Sequence, residues 1–232
     1  MRAMILAAGR GERLRPLTDE RPKPLLEVGG KALIVRHLER LAAAGVSEVV
    51  INHAHLGHML RQRLGDGSAH GLRLHWSAEP PGALETAGGI AQALPLLGDA
   101  PFLVINGDVY CDWDLTAAEA IAAALRERED LAHLVMVANP PQHAGGDFFL
   151  CGGRVRAEGK QGGARLTFSG IGIYQPALFA SLVPGQRARL APLLCAAMTE
   201  RRVSGERHGG RWEDVGTVER LTALDAELGA GL

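Results

Sequence analysis

The first 28 residues decide the fold: Met1 to Val28 reads MRAMILAAGRGERLRPLTDERPKPLLEV. The apolar run Ala3–Ala8 ends at Gly9 and has the length of a buried strand. A loop rich in glycine and arginine follows, with the sequence GRGER over Gly9–Arg13. A strand that ends in a glycine turn exposes a row of backbone N–H groups, and such a row binds anions. We therefore expect this stretch to hold a nucleoside triphosphate.

One lysine in this stretch stands out. Only three of the 25 basic residues are lysines, namely Lys23, Lys31 and Lys160, and Lys23 lies between Pro22 and Pro24. The chain uses arginine almost everywhere else, whereas an ammonium is a compact point charge suited to a phosphate oxygen. A chance surface lysine is the alternative, and the surrounding motif favours a phosphate contact at Lys23.

Length and composition indicate one globular domain, since 232 residues with 47% hydrophobic and 22% charged content suffice for one core. The net charge of −1 argues against a nucleic-acid partner. No apolar run approaches a membrane span, and the N-terminus does not resemble a signal peptide. Three scattered cysteines, Cys111, Cys151 and Cys195, fit a reducing compartment rather than a zinc site. We therefore expect a cytoplasmic protein without membrane contact.

Apolar periodicity predicts strands that alternate with helices over the first half of the chain, which indicates an α/β fold with a parallel sheet. A capping box at Thr116–Glu119 is expected to open a helix, and Pro140–Lys160 is expected to be irregular. Predicted strands cover 48–52, 71–76, 102–106, 133–138 and 165–174, and predicted helices cover 31–44, 59–64, 176–183, 190–202 and 218–228.

Two carboxylates are candidate metal ligands. Asp108 follows the strand 102–106, and a carboxylate at the carboxyl end of a central parallel strand faces the ligand crevice. Asp214 is the second candidate. Asp112 and Asp114 are interpreted as turn residues. The histidines of His53–His58 are interpreted as turn and surface residues, because no second cluster of His or Cys completes a coordination shell.

These residues together suit transfer of a phosphorus group, which needs aligned phosphates, neutralised charge and a bridging metal. Backbone N–H groups and Arg13 would grip the leaving pyrophosphate, Lys23 would contact the oxygens where charge develops, and Asp108 and Asp214 would carry Mg²⁺. A P-loop pattern is absent from the sequence, and the dinucleotide fingerprint that starts at Gly9 has Leu14 in place of its third glycine.

The segments Leu6–Thr18 and Arg21–Leu25 resemble the signature of the sugar-1-phosphate nucleotidylyltransferases. Within this family the chain is most similar to the bacterial N-acetylmuramate α-1-phosphate uridylyltransferases, which belong to peptidoglycan recycling of the cell wall. The resemblance extends through Leu84–Gly88, Asn106–Val109, Gly145–Phe148, Phe168–Gly172 and Trp212–Thr217.

The resemblance implies a Rossmann-like, GT-A-like three-layer α/β sandwich with a mixed, mostly parallel sheet. One domain would cover 1–232, with a nucleotide-binding part over about 1–115 and a sugar-binding part over about 116–232. The implied reaction joins UTP and N-acetylmuramate α-1-phosphate into UDP-N-acetylmuramate and pyrophosphate with Mg²⁺ as cofactor, in a monomer or small homo-oligomer.

The resemblance also implies individual site residues. Arg13, Lys23 and Asp108 would be catalytic, and Asp108 and Asp214 would hold the metal. Glu79 and the backbone near Ala83 would lie beside the base. The sugar phosphate and sugar would contact Asn106, Gly146 and Glu158. The nucleotide would contact Leu6, Ala8, Gly9, Gly11, Glu12, Arg13, Lys23, Glu79, Ala83 and Gly88.

Two alternatives stay open. The Glu79 carboxylate can accept N3–H of uracil or N1–H of guanine, so a guanylyl- or thymidylyltransferase acting on a hexose, mannose or heptose 1-phosphate is the second hypothesis. The third is a catalytically silent regulatory module that binds a sugar nucleotide, against which the two metal-holding carboxylates argue. His143 stands where the family pattern predicts asparagine.

Overall fold

The computed structural model describes residues 1–159 and 163–230. Its strands are β1 (Ala3–Leu6), β2 (Glu27–Val28), β3 (Lys31–Ala32), β4 (Glu48–His53), β5 (Arg73–Ala78), β6 (Phe102–Asn106), β7 (Val109–Cys111), β8 (Ala132–Val137), β9 (Phe148–Cys151), β10 (Arg154–Arg156), β11 (Ala164–Tyr174), β12 (Val203–Arg207) and β13 (Trp212–Asp214). Its α-helices are α1 (Leu17–Glu20), α2 (Leu33–Ala43), α3 (Gly57–Leu64), α4 (Glu85–Leu97), α5 (Ala118–Glu127), α6 (Leu190–Thr199) and α7 (Val218–Gly229).

A nine-stranded mixed sheet organises the molecule, in the order β5-β4-β1-β6-β11-β8-β12-β10-β9. The first four of these strands are parallel to one another, and β11 runs antiparallel between β6 and β8. Of the described strands in this sheet, only β10 and β11 oppose the common direction. The predicted Rossmann-like architecture with a mixed, mostly parallel sheet is therefore confirmed.

The order of the strands fixes where a ligand crevice forms. The chain runs from β1 outward through β4 to β5 and then crosses by α4 to β6 on the other side of β1. Loops that leave β1 and β6 therefore diverge, which opens a crevice at the carboxyl ends of these two strands. Leu6 pairs with Asn106 at this edge, so the glycine-arginine loop and Asp108 begin side by side.

Apolar packing covers both faces of the sheet. On one face Leu38 of α2 and Leu125 of α5 join the buried cluster, and on the other face Ile90 of α4 and Leu194 of α6 do so. A third cluster joins α7 to the first loop and to the segment after β13, through Leu14, Leu26, Val28, Leu33, Val215, Leu221 and Leu224. This cluster holds α7 against the loop that follows β1.

Several predicted elements need correction. The prediction of a capping box at Thr116–Glu119 is wrong. The Asp114 carboxylate accepts the Thr116 N–H (3.0 Å) and caps this turn, and Glu119 accepts a hydrogen bond from the N-terminal ammonium. The prediction of irregular backbone for Pro140–Lys160 is also wrong, since β9 and β10 lie within it; Lys160 itself lies outside the described residues.

The ends of several helices also differ from prediction. The helix predicted over 31–44 is too long at both ends, because Lys31 and Ala32 form β3 and α2 ends at Ala43. The predicted helix 176–183 is a short 3-10 turn over Pro176–Phe179, and β12 was not predicted. Within the described ranges, none of the helices is long and apolar enough to cross a membrane.

Candidate active site

Two adjoining cavities open at the carboxyl ends of β1 and β6, and Asn106 and Asp108 line both. The first, about 350 Å³, is lined by Leu6, Ala7, Ala8, Gly9, Lys23, Pro24, Asn52, Glu79, Gly82, Ala83, Glu85, Thr86, Asn106, Asp108 and Arg187. The second, about 320 Å³, is lined by Arg13, Asn106, Asp108, Val109, Pro140, Gln142, His143, Asp147, Thr167, Phe168, Ser169, Trp212 and Asp214. The shared pair marks where two substrates can meet.

The loop after β1 folds back onto Lys23. Gly11 has a φ of +70°, and its carbonyl oxygen accepts a hydrogen bond from Thr18 Oγ1 (2.9 Å). A methyl group at the Gly11 Cα would lie 3.0 Å from Thr18 Cγ2 and 3.3 Å from Lys23 Cβ, so both the conformation and the space require glycine here. The turn then carries Glu12 and Arg13 outward as exposed side chains.

Lys23 forms an ion pair at the junction of the cavities. Its Nζ donates to Asp108 Oδ2 at 2.5 Å, and Lys23 is only 8% exposed. The Asp108 side chain is 36% exposed, so the carboxylate faces the cavities while the ammonium lies beneath it. A hydrogen bond between two charged groups is among the stronger kinds in proteins, which gives this lysine one defined position.

Asp214 reaches Asp108 through a two-stranded ribbon. β13 pairs with β7 so that Asp214 lies opposite Val109, and the Val215 N–H donates to the Asp108 carbonyl at 2.9 Å. Asp214 Oδ2 accepts from Arg220 Nη1 at 2.9 Å. Among the described residues, neither carboxylate uses its Oδ1 in a hydrogen bond. Two carboxylates with an oxygen each to spare, lining the same cavity, fit the ligand set of a hard divalent cation.

Glu79 is the centre of a buried network below the first cavity. Its Oε1 accepts from Asn52 Nδ2 (2.6 Å) and its Oε2 accepts from the Leu84 N–H (2.7 Å). Asn52 Oδ1 in turn accepts from the Ala7 N–H at 2.7 Å. The network joins the ends of β1, β4 and β5 to the start of α4. Glu79 thus lines the cavity with both oxygens already hydrogen-bonded, and its contact with a base stays a prediction.

Other predicted nucleotide contacts divide into two groups. Leu6, Ala8, Gly9 and Ala83 line the first cavity. Gly88 instead packs on the segment before α6, because a methyl group at its Cα would lie 2.4 Å from the Gln186 carbonyl oxygen. The structure therefore gives Gly88 a packing role, and nucleotide contact at this position stays a prediction.

Of the three residues predicted to contact the sugar phosphate and sugar, Asn106 lines the two cavities, and Gly146 and Glu158 are not among their lining residues. Asn106 lies at the junction of the cavities. Gly146, with a φ of +61°, lies in the turn between His143 and Asp147, which both line the second cavity. The His143 ring nitrogen Nε2 lies 3.0 Å from Asp147 Oδ1. Glu158 is exposed after β10. Sugar contacts of Gly146 and Glu158 stay predictions.

Three residues of the site were not predicted from the sequence, namely Asn52, Arg187 and Arg220. Asn52 lies near the carboxyl end of β4, the same edge that identified Asp108, so that rule applied to β4 would have found it. Arg220 follows Asp214 by six residues in the first turn of α7. Arg187 comes from the far half of the chain and contacts Glu85 at 3.1 Å, a contact without a sequence signal.

Asp112, interpreted from the sequence as a turn residue, has a partner across the fold: His208 Nε2 lies 2.7 Å from Asp112 Oδ1. Cys111, Asp112 and His208 are the one group of three His, Cys or acidic side chains that the described residues bring within ligand distance. The histidines of His53–His58 form no such group there; the His55 ring nitrogen Nε2 lies 2.9 Å from the Thr18 carbonyl oxygen.

Comparison with known proteins assigns the fold and the family. Residues 2–146 match the nucleotidyl transferase family. The chain is 58% identical to N-acetylmuramate alpha-1-phosphate uridylyltransferase of Neisseria meningitidis serogroup B over 231 residues, 99% of each chain. It is 39% identical to the protein of the same name from Caulobacter vibrioides, over 97% of this chain and 96% of the relative.

The fold has a close structural counterpart. A putative glucose-1-phosphate thymidylyltransferase from Bacillus anthracis superposes with a TM-score of 0.81 over 99% of this chain and 96% of its own, at 20% identity, which speaks for the fold alone. The family match and the full-length relatives confirm the resemblance read from the motifs. The chain therefore belongs to the nucleotidyl transferase family, among its sugar-1-phosphate nucleotidylyltransferases.

Proposed function

We propose that this enzyme transfers UMP from UTP to N-acetylmuramate α-1-phosphate, with release of pyrophosphate and formation of UDP-N-acetylmuramate for peptidoglycan recycling. The observation that carries the proposal is the convergence of Lys23, Asp108 and Asp214 where the two cavities meet. The choice of uridine and of muramate is supported by the names of the two full-length relatives.

In this proposal the nucleoside of UTP occupies the first cavity, its phosphates extend past the junction to Arg13, and the sugar phosphate binds in the second cavity. An oxygen of the sugar phosphate attacks the α-phosphorus of UTP, the bond from that phosphorus to the bridging oxygen breaks, and its electron pair leaves with pyrophosphate. Lys23 Nζ stabilises the charge on the α-phosphate, and Arg13 with the backbone of the Gly9–Arg13 loop binds the departing phosphates. Asn106 orients the attacking phosphate from the junction.

Nucleotidyltransferases generally use a divalent metal, and we propose Mg²⁺ held by Asp108 and Asp214. The ion would neutralise phosphate oxygens and so favour attack on phosphorus. Lys23 and Arg220 each donate a hydrogen bond to one of these carboxylates, which holds both acidic side chains in place.

We also propose that the first half of the chain binds mainly the nucleotide and the second half mainly the sugar. Residues 1–115 supply most of the first cavity and residues 116–232 most of the wall of the second, with Arg187 crossing to the first. The domain would act in the cytoplasm as a monomer or small homo-oligomer.

A matrix of nucleotides and sugar 1-phosphates tests this proposal through pyrophosphate release with Mg²⁺. We expect release from UTP with N-acetylmuramate α-1-phosphate, and loss of that release in Asp108→Ala. Turnover of GTP with mannose 1-phosphate instead would favour the guanylyltransferase alternative. Binding of UDP-N-acetylmuramate without turnover of any pair would favour the silent module.

A further inference from the structure

The guanidinium groups of Arg220 and Arg13 lie close together beside Gly216. A methyl group at the Gly216 Cα would lie 2.4 Å from Arg220 Nη2, 3.0 Å from Arg13 Nη2 and 3.0 Å from Asp214 Oδ1. Two guanidinium groups and one carboxylate therefore converge on one point of the backbone. The absence of a side chain at Gly216 is what leaves room for them.

The charges at this point do not balance. Asp214 Oδ2 accepts from Arg220 Nη1 at 2.9 Å, so one carboxylate faces two cations. Asp108, on the same cavity, is already paired with Lys23. Like charges held close together destabilise a site unless an anion joins them, and paired guanidinium groups bind phosphate oxygens with a planar set of donors.

The local fold holds Arg220 in this place. It is the third residue of α7, and its N–H donates to Thr217 Oγ1, which caps the helix. Its side chain is only 18% exposed. The apolar cluster with Leu221, Leu14 and Val215 fixes the first turn of α7 against the loop that carries Arg13. Arg13 and Arg220 are thus brought together by core packing rather than by sequence neighbourhood.

We propose that Arg220 is a second pyrophosphate-binding arginine, which acts with Arg13 on the phosphates that leave. The inference rests on the proposed function. Arg220 donates to Asp214 through Nη1, whereas its Nη2 lies with Arg13 Nη2 beside Gly216, so Nη2 can bind a phosphate oxygen whether or not Asp214 holds a metal.

Pyrophosphate binding to the metal-free protein tests the role of Arg220 apart from any role in holding a metal. Calorimetry in EDTA compares the parent protein with Arg220→Gln, Arg220→Lys and the control Arg73→Gln, whose side chain is 73% exposed. We expect Arg220→Gln to weaken binding about tenfold or more, Arg220→Lys to weaken it less, and Arg73→Gln to match the parent. Circular dichroism and the unfolding midpoint check that each variant is folded.

Two calorimetric results would overturn the inference: no measurable pyrophosphate binding by the parent protein, or equal binding by the parent and Arg220→Gln. Mn²⁺ binding measured by electron paramagnetic resonance adds a second readout. A variant that loses Mn²⁺ but keeps pyrophosphate would show that Arg220 only positions Asp214, and this too would overturn it. None of these measurements uses UTP or a sugar phosphate, so their outcome is separate from that of the substrate matrix.

Discussion

Lys23 Nζ and Asp108 Oδ2 lie 2.5 Å apart although 85 positions separate the two residues in sequence. The pair joins the first loop of the chain to the end of the central strand β6, at the junction of the two cavities. A buried ammonium that is already fixed by a carboxylate needs little reorganisation when phosphate charge develops beside it. This preorganisation makes Lys23 the most informative residue to change.

Replacing Lys23 with alanine is expected to lower kcat about a hundredfold or more, as for other electrostatic contacts made in the transition state. Lys31→Ala is the matched control, because Lys31 forms an exposed ion pair with Glu39. Steady-state rates of pyrophosphate release measure both. A Lys23→Ala enzyme with parental kcat would remove this residue from the catalytic set.

Glu79→Gln is expected to raise KM for UTP about tenfold, because an amide places an N–H₂ group against one of two donors, Asn52 Nδ2 or the Leu84 N–H. The loop that lines the first cavity then loses an anchor, whereas the catalytic groups at Lys23 and Asp108 are untouched. KM and kcat for UTP distinguish the two effects. An unchanged KM would mean that the network does not shape the nucleotide cavity.

Gly107→Ala is expected to destabilise the fold by roughly 1 to 3 kcal/mol and to displace Asp108. A methyl group at this Cα would lie 2.7 Å from the Leu6 carbonyl oxygen, which accepts the Gly107 N–H at 2.9 Å. The added carbon would therefore separate the ends of β1 and β6. Urea unfolding measures the change, and Gly229→Ala, at an open helix end, is the control. Equal midpoints for the two variants would contradict the close approach.

His37 makes the stability of the fold depend on pH. Burial, with a smaller effect of Arg40, lowers the pKa of His37 from 6.5 to about 4. The unfolded chain thus binds more protons between these values, so the free energy of unfolding falls as pH drops from 6.5 to 4. The loss is about 3 kcal/mol if the full difference is realised.

His37→Gln, which does not titrate, is expected to flatten this part of the pH dependence. Urea unfolding at about pH 7 and about pH 4.5 measures it, with the exposed His58→Gln as the control. The same loss of stability in the parent and in His37→Gln would assign the acid sensitivity to other groups.

Much of the candidate site was predictable because its residues lie in short motifs next to strand ends. The loop after β1 and the position of Asp108 after β6 follow from the rule that the carboxyl ends of parallel strands face ligands. The hairpin of β9 and β10 was not predictable, because strands of four and three residues are too short to show a clear period. The cap at Asp114 was missed because Thr116 offers an equally plausible local pattern.

The sequence by itself determined the α/β class, and it predicted the Gly9–Arg13 loop, Lys23, Asp108 and Asp214 as site residues. Only the tertiary structure decided which groups share one point in space. The Glu79 carboxylate is predicted to lie beside the base and can accept a base N–H, and in the fold both of its oxygens accept hydrogen bonds from the protein. Arg220 carried no signal, and packing of α7 against the first loop sets it beside Arg13. Motifs record local backbone and chemistry, whereas partners across the fold depend on strand order and core packing, which no short pattern encodes.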